Sequence, residues 1–234
     1  MKTIGIIGGM SWESSIEYYR IINEITREKL GGLHSAKSVM FSVDFAPLEE
    51  MQKNNQWDKA TDVMVEAAKQ LVSAGADFIV IATNTMHLMY DAVQNAIAVP
   101  VLHIANAAAF EIKKKNLHTV GLLGTIFTME MDFYKGRLLD QFKINVVVPD
   151  LEDRTIVNQI IYQELVLGKI EHKSQLEFIR IMESLVSKGA EGIILGCTEI
   201  PSLVGPENIN VPVYNTTYIH ARAAVEIALG ERLI

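Results

Sequence analysis

Three pairs of segments in this chain repeat one another in the same order. Thr3-Ile4-Gly5-Ile6-Ile7-Gly8-Gly9 is matched by Thr119-Val120-Gly121-Leu122-Leu123-Gly124-Thr125, and Val99-Pro100-Val101-Leu102 by Val211-Pro212-Val213-Tyr214. Between them, Gly75-Ala76-Asp77-Phe78-Ile79-Val80-Ile81-Ala82-Thr83-Asn84-Thr85 is matched by Gly189-Ala190-Glu191-Gly192-Ile193-Ile194-Leu195-Gly196-Cys197-Thr198-Glu199. The copies lie 116 (Thr3 to Thr119), 114 (Gly75 to Gly189) and 112 (Val99 to Val211) residues apart. One such likeness arises by chance; three collinear ones indicate a duplicated unit. Each segment is a short apolar run bounded by glycine or proline, the pattern of a buried parallel strand. Amphipathic stretches separate them: Ala60, Val63, Met64, Ala67, Leu71 and Val72 recur at helical spacing, as do Ile156, Ile160, Ile161 and Leu165.

Alternating strands and helices predict an α/β fold of two pseudo-symmetric lobes, each a parallel sheet flanked by helices. The lobes are expected at residues 1–102 with 214–234, and at 103–213. A helix is expected to open at a Ser14-Ser15-Ile16-Glu17 capping box and to run towards Leu30. Further helices are expected from near Asn84 and over Met129 to Gln141. In open parallel sheets ligands bind beyond the carboxyl ends of the strands. That rule brings Gly8-Gly9-Met10, Thr83-Asn84-Thr85, Gly124-Thr125 and Cys197-Thr198-Glu199 to one active site in the cleft between the lobes. A helix after each tip would offer free N–H groups and a positive dipole end to an anion. The glycine pair Gly8-Gly9 would let a ligand approach the backbone.

Composition removes several other readings. A net charge of −7 over 234 residues argues against nucleic acid as partner, and Lys113-Lys114-Lys115 reads as the solvated end of a helix. No apolar run is long enough to span a membrane, and the start shows no signal-peptide core. With a single cysteine no intramolecular disulfide can form, so a reducing, cytoplasmic setting is expected. The histidines lack metal-ligand spacing, so no metal is expected. The glycines fit neither a dinucleotide fingerprint nor a phosphate-binding loop. Cys197 follows its strand and stands beside Thr198 and Glu199, which suits a reactive thiol better than a core residue. A helix start behind it would favour thiolate. Thr83 holds the matching position in the other copy; its hydroxyl can relay a proton but hardly abstract one, and it also suits a helix cap.

Ile4-Gly5-Ile6-Ile7-Gly8-Gly9-Met10, Thr83-Asn84-Thr85-Met86-His87 and Gly196-Cys197-Thr198-Glu199-Ile200 together resemble the aspartate/glutamate racemase family, over nearly the whole chain. The resemblance implies a cofactor-independent isomerase, usually a homodimer, with two acid/base residues on opposite faces of a small acidic amino acid. It places Cys197 and Thr83 in those roles. Met10, Asn84, Thr85, Thr125 and Thr198 fall where the family cradles the α-carboxylate and amino group, with Glu199 beside them. The usual first cysteine is Thr83 here, which resembles a subgroup acting on L-aspartate and L-glutamate. The arginine and lysine that aspartate racemases bring to the side-chain carboxylate are missing from Asp44–Gln52 and Ile160–Gly168. Gln52, with Lys169 or Arg20, is the expected substitute. Two other functions share the motifs: a single-cysteine decarboxylase of the same superfamily, and a non-catalytic amino-acid-binding protein.

Overall fold

The computed structural model describes residues 1–234. It contains two four-stranded parallel sheets with flanking helices. In the first, β1 (Ile4–Gly8), β2 (Ser38–Ser42), β3 (Phe78–Ile81) and β4 (Val101–Leu102) lie in the order β2-β1-β3-β4. In the second, β5 (Thr119–Gly124), β6 (Asn145–Val147), β7 (Ile193–Gly196) and β8 (Val213–Asn215) repeat it as β6-β5-β7-β8. The chain divides into two compact units, Met1–Ile104 with His220–Ile234, and Ala105–Ile219. Both crossing points lie inside helices, α5 (Ile104–Lys114) and α10 (Thr216–Leu229). The lobe boundaries expected at 102/103 and 213/214 thus lie two and six residues before these crossings.

In the first unit, α1 (Trp12–Leu30), α2 (Phe45–Lys53), α3 (Trp57–Ser73) and α4 (Tyr90–Ala96) join the strands. The stripe of α3 predicted from spacing is its buried face: Ala60, Met64, Ala67 and Leu71 pack with Ile7, Ile79 and Ile81 of the sheet. The capping box at Ser14 is not used. Ser11 is the cap and its hydroxyl accepts from the Ser14 N–H, so the helix begins earlier and Ser14 and Ser15 are buried in its first turn. Pro47 sits in the first turn of α2, where a missing N–H costs nothing, with Asp44 as cap.

In the second unit, α6 (Ile126–Glu130), α7 (Asp132–Phe142), α8 (Leu151–Gln163) and α9 (His172–Ser187) serve the same purpose. The single helix expected from Met129 to Gln141 is two, parted at Met131, whose backbone is extended. Phe178, Ile181, Met182 and Leu185 of α9 pack with Val157 and Ile161 of α8 on Ile193 and Leu195 of β7.

The acid shared by the two longest copies has a common structural task. Asp77 accepts from the Thr3 N–H at 2.6 Å, and Glu191 from the N–H groups of His118 and Thr119 at 2.7 and 2.9 Å. Each acid thus ties the entry of its own strand to the entry of the neighbouring one, β1 or β5.

Candidate functional site

Each sheet reverses its strand order at one place, between β1 and β3 and between β5 and β7. Such switch points are where loops diverge and open parallel sheets bind ligands. All four predicted tips sit there. In the first unit, β1 runs into Gly8-Gly9-Met10 and β3 into Ala82-Thr83-Asn84, with Ile7 paired to Ile81. In the second, β5 runs into Thr125 and β7 into Cys197, with Gly124 paired to Gly196.

Gly8 and Gly9 do not serve as a bare surface for a ligand. A Cβ on Gly8 would lie 2.6 Å from Ser15 Oγ, and one on Gly9, whose φ is +91°, would lie 2.2 Å from the Val43 carbonyl. The chain itself fills that space: the Ser15 hydroxyl accepts from the Gly9 N–H at 2.7 Å. Met10 follows, buried at the end of this turn.

The helices behind the tips also differ from expectation. Only the Gly8-Gly9 turn leads into a long helix, α1. After Thr83 come a one-turn 3₁₀ helix, Thr85–Met89, and α4; after Thr125 comes the five-residue α6; after Cys197 comes a 3₁₀ helix of three residues, Ile200–Ser202. Such short pieces align few peptide dipoles, so the expected anion-attracting field at those tips is small. Two first-turn N–H groups of α6 are also taken. Thr125 Oγ1 caps Thr128 N–H at 3.4 Å, and Asn158 Oδ1 accepts from Ile126 N–H at 2.9 Å. Thr128, to which no sequence motif points, lies against both Gly124 and Gly196, where added Cβ atoms would stand 3.1 and 3.4 Å from its side chain.

Cys197 is buried, and its thiol donates to Glu199 Oε2 at 2.9 Å. Thr198 Oγ1 donates to the same oxygen at 2.6 Å. Burial, then the charge and hydrogen bond of Glu199, push the thiol well above the usual range. This corrects the expectation of a helix-stabilised thiolate: the following helix is too short, and the nearest charge is negative. The resting group is a protonated thiol hydrogen-bonded to a carboxylate. Glu199, placed beside the substrate by sequence, is in the structure the partner of the thiol. The Cys-x-Glu spacing in a strand-end turn was the available signal.

Thr83 is half-buried at the end of β3. It does not cap the next helix: Asn84 holds the cap position of Thr85–Met89, without a side-chain cap bond. Asn84 and Thr85 are buried beside it. Gln52 is also buried, and its amide donates to Met86 Sδ at 3.2 Å. Arg20 is exposed and held by Glu17 and Glu24, both at 2.6 Å, so two carboxylates already neutralise it. Lys169 is exposed. No group of three or more His, Cys, Asp or Glu side chains is placed to hold a metal ion.

These switch-point tips lie within a match that runs over residues 7–224 to the profile of the Asp/Glu/hydantoin racemase family. The chain belongs to this family. It is 23% identical over 228 residues to the broad specificity amino-acid racemase RacX of Bacillus subtilis (strain 168), a match covering 97% of this chain and 98% of that protein. A crystal structure from Yersinia pestis, assigned provisionally as an Asp/Glu racemase, is 49% identical with a TM-score of 0.93, covering 98% of this chain and 100% of the other. An aspartate racemase homologue from Pyrococcus horikoshii OT3 is 38% identical with a TM-score of 0.85, over 98% and 100% of the two chains. As a member of the racemase family the protein is an isomerase. Its sheets, one per unit with the same strand order, are the family's two-lobed α/β fold.

Proposed function

We propose that the protein is a cofactor-independent racemase of aspartate, glutamate or both, favouring the L-enantiomer, with Cys197 and Thr83 serving opposite faces of Cα. The observation that carries this reading is the Cys197–Glu199 hydrogen bond at a switch-point strand end. A thiol beside a carboxylate can pass its proton to that carboxylate and take another from carbon. The reaction balances without an added reactant. Glu199 receives the Sγ proton, the thiolate takes the Cα proton, and the planar carbanion is protonated on its other face from the Thr83 side. Release of the Glu199 proton to solvent, with uptake of one proton from solvent on the Thr83 side, resets the site.

The inequality of the two residues supports the preference for one enantiomer. A thiol is a far stronger acid than an alkyl hydroxyl, so removal from the Thr83 face is the harder direction. Met10, Asn84, Thr85, Thr125 and Thr198 are proposed to cradle the α-carboxylate and amino group, and Gln52 to face the substrate's side chain. A homodimer in a cytoplasmic setting completes the proposal; no helix is long and apolar enough to cross a membrane.

Chiral chromatography of L-aspartate and L-glutamate after incubation with the protein tests this. Formation of the D-isomer from either acid, lost in Cys197→Ala, is expected. Binding without any D-isomer would favour an amino-acid-binding protein, and loss of carbon dioxide from an arylmalonate the decarboxylase.

A further inference from the structure

Four hydrogen bonds link buried groups behind the Thr83 tip. His87 Nδ1 lies 2.8 Å from the Thr83 carbonyl oxygen, and the Ile104 N–H donates to His87 Nε2 at 3.1 Å. His220 Nε2 lies 3.0 Å from the Leu102 carbonyl oxygen, and its Nδ1 lies 2.8 Å from the Tyr18 hydroxyl. The backbone partners settle the proton positions, because an N–H can only donate and a carbonyl can only accept. Nε2 of His87 must be bare, so the neutral ring carries its proton on Nδ1 and donates to Thr83. Nε2 of His220 must carry its proton, so Nδ1 accepts from Tyr18. Both rings are buried and lie 5.7 Å apart, with His103 4.7 Å from His87. Each uses both nitrogens, so neither is left to act as acid, base or ligand.

We propose that His87 is a positioning residue for the Thr83 side of the racemisation. Its Nδ1–H fixes the Thr83 carbonyl and with it the plane of the Thr83–Asn84 peptide. The same ring anchors this tip to Ile104, just beyond β4, while His220 holds Leu102 of β4 and Tyr18 of α1 holds His220. The tip that carries the weaker proton donor is thus pinned by a side chain four residues along. This inference rests on the racemase reading above.

Two substitutions separate the two bonds of His87. In His87→Asn the amide nitrogen takes the place of Nδ1 and still donates to Thr83. In His87→Gln the amide oxygen takes the place of Nε2 and still accepts from Ile104, but the donor to Thr83 is lost. With L-substrate in deuterated water, the carbanion gains deuterium with retention from Cys197 or with inversion from the Thr83 side. The ratio of the two does not depend on how much protein is folded. His87→Gln is expected to lower inversion relative to retention by about tenfold to a hundredfold, and His87→Asn to restore most of it. An unchanged ratio in His87→Gln overturns the inference. Long-range ¹H–¹⁵N NMR of the wild type is expected to show the Nδ1–H tautomer of His87, and an Nε2–H tautomer also overturns it. No exchange by wild type on either acid sinks the racemase reading, and the positioning role with it. The tautomer measurement still reports on the hydrogen-bond chain by itself.

Discussion

At residue scale, the chemistry turns on who holds the proton at Cys197. A thiolate was expected because a helix was expected behind it; the chain makes only one 3₁₀ turn there. Sequence pattern revealed the strand and its tip but not the length of the helix that follows, which depends on how Ile200 and Leu203 bury into the core. The thiol held high by burial and Glu199 should react slowly with iodoacetamide near neutral pH, its rate still climbing above pH 9. Glu199→Gln removes the carboxylate charge that raises the thiol, so alkylation at pH 7 to 8 should quicken. The same variant should slow Cα exchange by about 10²-fold or more, because the base that empties the thiol is gone. Faster alkylation with undiminished exchange would contradict the assigned proton path.

Tyr134 lies fully buried in α7, its hydroxyl has no hydrogen-bond partner on the protein, and burial raises the phenol. Replacing a buried hydroxyl that is not paired relieves a desolvation cost of about 1 kcal/mol or more. Tyr134→Phe is expected to leave stability unchanged or raise it by about 1 kcal/mol, read from urea midpoints. A clear loss would show that the hydroxyl is bonded in solution.

At the scale of elements, strands were more legible than helix boundaries. Phe78–Ile81 and Thr119–Gly124 carry β-branched and leucine runs too short for a buried helix, and they form strands β3 and β5. The helix from Met129 was misjudged because the apolar spacing of α6 and α7 runs on across the extended Met131. The hydrogen-bond partners of the buried histidines were not legible, because a lone His in sequence does not disclose them. His220 shows what such burial does. In α10, facing His87, Tyr18, the Leu102 carbonyl and the charge of Arg232, it is held down to about 3, chiefly by loss of solvent. The unfolded chain binds this proton near pH 6.5 and the folded one does not. Stability should therefore be full above pH 6.5 and fall towards pH 3, by about 1.4 kcal/mol per pH unit for this group. Urea midpoints of wild type and His220→Gln at pH 7, 5.5 and 4.5 check this. The difference should move in the variant's favour on acidification, and a constant difference would contradict it.

At the scale of the whole molecule, the duplication read from three pairs of segments is present as two sheets of identical strand order. The repeated acids Asp77 and Glu191 do the same job in each, while the repeated tips do not: one carries a thiol and its carboxylate, the other a hydroxyl pinned through its backbone. The first similarity was visible in sequence because it follows from strand entry geometry. The second difference was visible only as Thr against Cys, since the partners Glu199 and His87 act through turns. These unequal tips are proposed to exchange the Cα proton of one acidic amino acid. The most direct measurement is NMR of L-aspartate and L-glutamate in deuterated water with the protein, with chirality of the product. Loss of the Cα proton signal with appearance of deuterated D-isomer, slower from the D-enantiomer and absent in Cys197→Ala, is the predicted result. Exchange that survives Cys197→Ala, or no exchange of either acid despite binding, would contradict it.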